Sequence, residues 1–186
     1  MNAAECLPDR FNASSYFLDR HLEEGRGERA AVVHEERTLT YRDVLELANR
    51  TGNALRELDV EMEQRVLLAC LDAPEFVGAF WGAIRIGAVP VPVSTLLRTA
   101  DYRYLLDDSR ARAAVVSAPL LPELEPALTA ATGLQAVLVA GGAPGRHLSY
   151  EERLARSSAE LSPAPTRRDD FAFWQYSSGS TGPPKG

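Results

Sequence analysis

Residues 65–92 read RVLLACLDAPEFVGAFWGAIRIGAVPVP, and the change of period inside them decides the fold class. Residues 65–71 are a short apolar run with little alternation, the pattern of a strand covered on both faces. Asp72-Ala73-Pro74 opens a helix, because proline is tolerated in a first turn whose N–H groups have no intrahelical partner. Residues 74–86 are then apolar nearly all round, through Phe76, Val77, Phe80, Trp81, Ile84 and Ile86, and Gly87 closes them. At about 13 residues, with Glu75 and Arg85 inside, this helix is too short to cross a bilayer and is expected to be buried. Gly78 and Gly82 lie one turn apart and are expected to let it approach a neighbouring strand closely. Residues 88–93 return as a strand in which Pro90 and Pro92 remove two backbone donors, so it is expected at an edge or as an irregular strand.

The same alternation continues on both sides. Downstream, the sequence predicts a helix capped by Thr99, a strand at 113–117, a helix at 119–132, a strand at 135–140 and a short helix at 151–156. The glycine-rich stretch 141–145 lacks G-x-G-x-x-G spacing and reads as a surface turn. Residues 157–168, with Pro163 and Pro165, read as a surface connection, and the aromatic run 171–176 as a further strand. Upstream, Asn12 is a candidate cap for a helix over 13–24, and residues 30–34 and 37–39 pair as a small hairpin about Glu35-Glu36. Thr40-Tyr41-Arg42-Asp43 has the form of a capping box with Asp in place of Glu. Val44, Leu45, Ala48, Leu55 and Leu58 follow on one helical face. The expected fold is α/β, a largely parallel sheet covered by helices, with strands at 66–71, 113–117, 135–139 and 171–176 in one sheet.

Composition narrows the function classes. The 186 residues are 45% apolar and 25% charged, as in an ordinary globular domain. The net charge of −6, from 20 basic and 26 acidic residues without long like-charge runs, gives no reason to expect a nucleic-acid partner. No apolar run approaches a membrane span and the first ten residues lack a signal-peptide core, so a soluble cytoplasmic protein without a membrane partner is expected. Cys6 and Cys70 are too few for a disulfide framework, and His21, His34 and His147 lack paired metal-site spacing; no metal ligand is assigned.

At Ser177 the composition changes abruptly: Ser177-Ser178-Gly179-Ser180-Thr181-Gly182-Pro183-Pro184-Lys185-Gly186 holds four hydroxyls, three glycines and one lysine. Small residues let backbone N–H groups reach phosphate oxygens, hydroxyls add donors and lysine supplies a compact positive charge. The spacing is not that of a Walker A loop, and on composition alone a flexible Ser/Gly tail fits as well as a polyphosphate site.

The order of residues resolves that ambiguity. Tyr176 to Gly186, YSSGSTGPPKG, resembles the signature loop of the adenylate-forming superfamily of acyl-CoA synthetases, peptide-synthetase adenylation domains and luciferases. Two weaker blocks occur in the matching order: Leu39-Thr40-Tyr41-Arg42-Asp43 with Ala48-Asn49-Arg50, and the stretch from Gly82 to Pro92. Within that superfamily, Phe11-Asn12 with Phe17-Leu18-Asp19, Val93-Ser94-Thr95-Leu96-Leu97 leading to Leu105-Leu106-Asp107-Asp108-Ser109-Arg110, and Phe173-Trp174 resemble the benzoate-CoA ligase branch.

The resemblance implies that residues 1–186 are the N-terminal portion of the AMP-binding domain, part of the large domain of such an enzyme, ending after the phosphate-binding loop 176–186. It implies an acid-thiol ligase with ATP, Mg2+ and CoA as co-substrates and a small aromatic carboxylate as substrate. Ser177, Ser178, Gly179, Ser180, Thr181, Gly182 and Lys185 would bind the ATP phosphates, with Lys185 balancing charge on departing pyrophosphate. No catalytic residue is assigned within the chain. The adenine, ribose, magnesium and aryl segments and the adenylation lysine would follow Gly186, so the chain alone is expected to be inactive. A homodimer is the one macromolecular partner left open. Two other readings stand beside this one: part of an enzyme that loads a carrier-protein thiol, and a non-catalytic binding module.

Overall fold

A computed structural model describes residues 7–177 and 185–186. A helical entry, a π turn at Ser15–Asp19 running into α1 (Arg20–Glu23), leads to an antiparallel hairpin of β1 (Ala30–His34) and β2 (Arg37–Thr40). The entry falls within the helix expected over 13–24, and Asn12 does cap it: its Oδ1 accepts the Ser14 N–H at 3.0 Å. The π turn was not foreseeable from period alone. The hairpin turns without Asn-Gly because Glu35 takes the left-handed conformation, φ 52°.

The rest of the chain alternates α2 (Tyr41–Arg56), β3 (Arg65–Ala69), α3 (Pro74–Arg85), β4 (Val89–Pro92), α4 (Thr99–Ser109), β5 (Ala113–Ser117), α5 (Leu121–Ala130), β6 (Ala136–Ala140), β7 (Leu148–Ser149) and α6 (Tyr150–Arg156). The five strands β4-β3-β5-β6-β7 form one sheet in which every neighbouring pair is parallel. Three strands fall where the apolar runs place them, because each is covered on both faces. Val66, Leu68, Val115 and Leu138 pack with Ala79, Ala83 and Ile86 of the α3 region and with Tyr150 of α6. Leu67, Val116 and Val139 pack on the opposite face with Tyr102 and Leu105 of α4 and Leu124 of α5.

Two helix starts show how local chemistry sets boundaries. Thr40 caps α2 in a full capping box: its Oγ1 accepts the Asp43 N–H at 3.2 Å, and Asp43 Oδ2 accepts the Thr40 N–H at 2.8 Å. The Thr40 N–H, with the Thr40 hydroxyl donating to the same Oδ2 at 2.7 Å, holds the Asp43 carboxyl below its usual range. For α4 the cap lies one residue earlier than Thr99. The Arg98 N–H donates to Asp101 Oδ2 at 3.0 Å, while the Thr99 hydroxyl bonds to Glu123.

Gly78 and Gly82 are packing residues, but what they approach is a helix, not a strand. A Cβ at Gly82 would stand 2.8 Å from Thr51 Cβ and 2.9 Å from the Ala48 carbonyl oxygen, both on α2. Backbone cannot yield there as a side-chain tip can. Gly82→Ala is therefore expected to lower stability by about 1–3 kcal/mol, the usual range for overpacking. A urea midpoint equal to that of the parent would show that α2 and α3 separate freely.

The connection 157–168 is strapped down. Asn49 Nδ2 donates to the Ala159 carbonyl at 2.7 Å, Arg50 Nη1 to the Ser157 carbonyl at 2.8 Å, and the Ala164 N–H to the Arg85 carbonyl at 2.7 Å. Ala48-Asn49-Arg50 thus serves the fold.

The fourth expected strand, 171–176, is extended in alternating exposure but belongs to no ladder. Its neighbour explains why. Val89 and Val93 donate their N–H groups inward to the carbonyls of Gln64 and Leu68, so Pro90 and Pro92 face the open edge of β4 with no hydrogen to give. The segment obtains one bond from that edge, Trp174 N–H to the Pro90 carbonyl at 3.0 Å.

Candidate functional site

The sheet order creates the site. After β3 the chain moves outward to β4 and then returns past β3 to β5, so the connections leave the carboxyl ends of β3 and β5 in opposite directions. In open parallel sheets ligands bind in the crevice outside such a switch point. A cleft of about 530 Å³ lies beside that point, at the carboxyl ends of β3 and β4, lined among others by Cys70, Asp72, Ser94, Leu97, Gln175 and Tyr176. Cys70 is not a nucleophile in it. Its thiol is buried, donates to the Val115 carbonyl at 3.3 Å, and is pushed up to about 12, first by burial and then by Glu75.

Residues 171–176 carry the chain from the amino end of β4 to this cleft and are pinned from both faces. The Phe173 ring lies 5.6 Å from that of Phe80 on α3. On the other side the Arg65 guanidinium sits 5.5 Å from the centre of the Trp174 ring, a cation–π contact. Arg65 is itself fixed by donating to the Ser109 carbonyl at 2.6 Å. Tyr176 donates its hydroxyl to Asp108 Oδ2 at 2.6 Å.

The phosphate-type segment begins directly after Tyr176. Ser177 and Lys185 exchange both backbone bonds in an antiparallel bridge, Ser177 N–H to the Lys185 carbonyl at 3.0 Å and Lys185 N–H to the Ser177 carbonyl at 3.1 Å. The two ends of the segment therefore meet, and both residues are exposed. Ser178, Gly179, Ser180, Thr181 and Gly182, the other expected phosphate ligands, lie outside the described residues. An exposed lysine at the neck of a hydroxyl- and glycine-rich segment is a fitting place for a polyanion.

The residues that hold the segment were not singled out from sequence as site residues. Asp108 and Pro90 stood only within family-like stretches, Pro90 being read besides for its missing donor. The three histidines are put to other uses or stand apart: His21 stacks on Tyr41 with ring centres 3.7 Å apart, and His147 Nε2 lies 2.7 Å from Glu125 Oε2. Among the described residues no helix is long and apolar enough to cross a membrane.

Comparison with known proteins shows the family and the fold. The chain is 44% identical over 181 residues to the benzoate–CoA ligase of Thauera aromatica, covering 97% of this chain and 34% of that protein. It is 42% identical over 176 residues to the 4-hydroxybenzoate–CoA/benzoate–CoA ligase of Rhodopseudomonas palustris, covering 95% and 33%. Among solved structures, the anthranilate CoA ligase AuaEII in complex with anthranoyl-AMP superposes with a TM-score of 0.93 at 35% identity, covering 97% of this chain and 35% of that one. The chain thus spans about a third of the length of these relatives. The AMP-binding enzyme family matches residues 18–186, and on the strength of that match and these relatives the chain belongs to the AMP-binding enzymes.

Proposed function

We propose that this chain is the N-terminal part of an ATP-dependent aryl-CoA ligase, and that residues 177–185 hold the phosphates of Mg-ATP during adenylation. The observation that carries the reading is the Ser177–Lys185 bridge, which closes the phosphate-type segment beside the cleft at the carboxyl ends of β3 and β4. Aromatic acids are favoured as substrates because the most similar relatives named above are benzoate and hydroxybenzoate ligases.

In the first half-reaction a carboxylate oxygen attacks the α-phosphorus of ATP. The bond to the bridging oxygen of pyrophosphate breaks, giving acyl-AMP. In the second, the CoA thiolate attacks the acyl carbon and AMP leaves. The chain's own contribution falls on the first. Charge accumulates on pyrophosphate as it departs, and the Lys185 ammonium, with the hydroxyls and backbone N–H groups that the segment carries in its sequence, would offset it.

In the complete enzyme, benzoate or a hydroxybenzoate should support ATP–pyrophosphate exchange and, with CoA, thioester formation, whereas acetate and palmitate should support little. The 186-residue chain alone should form no acyl-AMP. Exchange supported only by aliphatic acids would overturn the aryl assignment. Acyl transfer to a carrier protein but not to CoA would identify a carrier-loading enzyme instead.

A further inference from the structure

The aromatic residue that precedes the 177–185 segment touches the described residue that follows it. Tyr176 precedes it, with its hydroxyl 2.6 Å from Asp108 Oδ2 in the last turn of α4. Gly186 follows it, and its backbone lies across the same ring: a Cβ there would meet Cζ, Cε1 and Cε2 of Tyr176 at 3.0, 3.2 and 3.3 Å. Between them stands the Ser177–Lys185 bridge. Burial and the adjacent Asp108 carboxylate raise the phenol's pKa, so it remains a donor at neutral pH. Asp108 gains nothing from its own helix, since a carboxylate in the last turn opposes the macrodipole. Its neighbour Asp107 is occupied by Arg103 at 2.6 Å, which leaves Asp108 to the tyrosine.

We propose that Tyr176 is a positioning residue for adenylation: through Asp108 on one side and Gly186 on the other it fixes both ends of the phosphate segment, and with them Lys185, against α4. The inference rests on the phosphate-binding reading of residues 177–185. It differs from a merely structural role in what it moves, because a misplaced Lys185 weakens pyrophosphate departure and leaves thioester formation alone.

The test uses the complete enzyme with benzoate, Mg-ATP and CoA. Tyr176→Phe keeps the ring under Gly186 and removes the donor, Asp108→Ala removes the acceptor, and Asp108→Asn retains an acceptor oxygen. Tyr176→Phe and Asp108→Ala should each lower the exchange rate about tenfold, the worth of one charge-assisted hydrogen bond. The double variant should be no worse than either single one, and Asp108→Asn should keep most of the activity. Transfer from preformed benzoyl-AMP to CoA should stay at the parental rate. Unchanged exchange in both single variants, while Lys185→Ala is impaired, would overturn the Tyr176 role and leave the phosphate reading standing. Unchanged exchange in Lys185→Ala as well would overturn both. Additive losses, or equal losses in the two half-reactions, would also overturn the proposal.

Discussion

Asp19→Ala is expected to destabilise the protein by about 3–5 kcal/mol, the cost of leaving a buried charge without its partner. Arg85 is 4% exposed near the end of α3, and its guanidinium grips Asp19 with two bonds, Nη1 to Oδ2 at 2.7 Å and Nη2 to Oδ1 at 3.0 Å. Two further donors reach the Leu161 carbonyl, Nε at 3.1 Å and Nη2 at 2.8 Å. The same turn binds Asn12 through the Ile84 carbonyl at 3.0 Å. One arginine thus ties the N-terminal helical entry and the 157–168 strap to the helix that backs the sheet. Against a total stability of about 5–15 kcal/mol, the loss is a large fraction. The asymmetry of the pair sharpens the expectation. Arg85→Met removes the charge and leaves hydrocarbon in its place, so it should cost less than Asp19→Ala, and Asp19→Ala/Arg85→Met should recover part of the stability. Urea unfolding with unchanged m-values measures all three. A midpoint for Asp19→Ala within experimental error of the parent would mean that water already compensates the guanidinium.

Arg85 shows where reading the sequence stops. Within residues 65–92 the local signals agree with one another, so β3, α3 and the edge strand β4 stand within a residue or two of expectation. The capping box at Thr40 is equally local, with donor and acceptor three residues apart. Nothing local marks Arg85 as buried, because its partners lie 66 and 76 residues away. The approach of Gly82 to α2 and the strapping of 157–168 by Asn49 and Arg50 are long-range in the same sense. The missed ladder at 171–176 is a different case. The aromatic run has strand character, but a strand needs an edge that both donates and accepts, and Pro90 and Pro92 leave β4 with carbonyls only. Both halves of that argument were legible; their adjacency was not.

For the site, it was the resemblance of 176–186 to a family's signature loop that singled out the segment; its small residues, hydroxyls and lysine suit a polyphosphate but fit a flexible tail as well. Its support was not legible. Tyr176 and Asp108 are 68 residues apart, and Arg65 meets Trp174 from still farther along the chain. A loop's chemistry is written in the loop, whereas its orientation is written in the elements that surround it.

Lys185→Ala in the complete enzyme should slow adenylation by about 10²–10³, equivalent to about 2.7–4 kcal/mol, the loss seen when one charge-stabilising donor is removed from a transition state. Thioester formation should change far less, because pyrophosphate has left before CoA attacks. The role proposed for Lys185 lies in its side chain, while its backbone forms the bridge to Ser177. The alanine substitution preserves that bridge, so an effect on loop structure is minimised by the choice of residue. Lys185→Arg keeps the charge but spreads it over a planar fork and should retain part of the activity. Benzoate-dependent ATP–pyrophosphate exchange reports the first half-reaction, and single-turnover transfer from preformed benzoyl-AMP to CoA reports the second. If Lys185→Ala lost both rates equally while its urea midpoint stayed parental, the ammonium would be serving a step common to both half-reactions, and its assignment to departing pyrophosphate would be wrong.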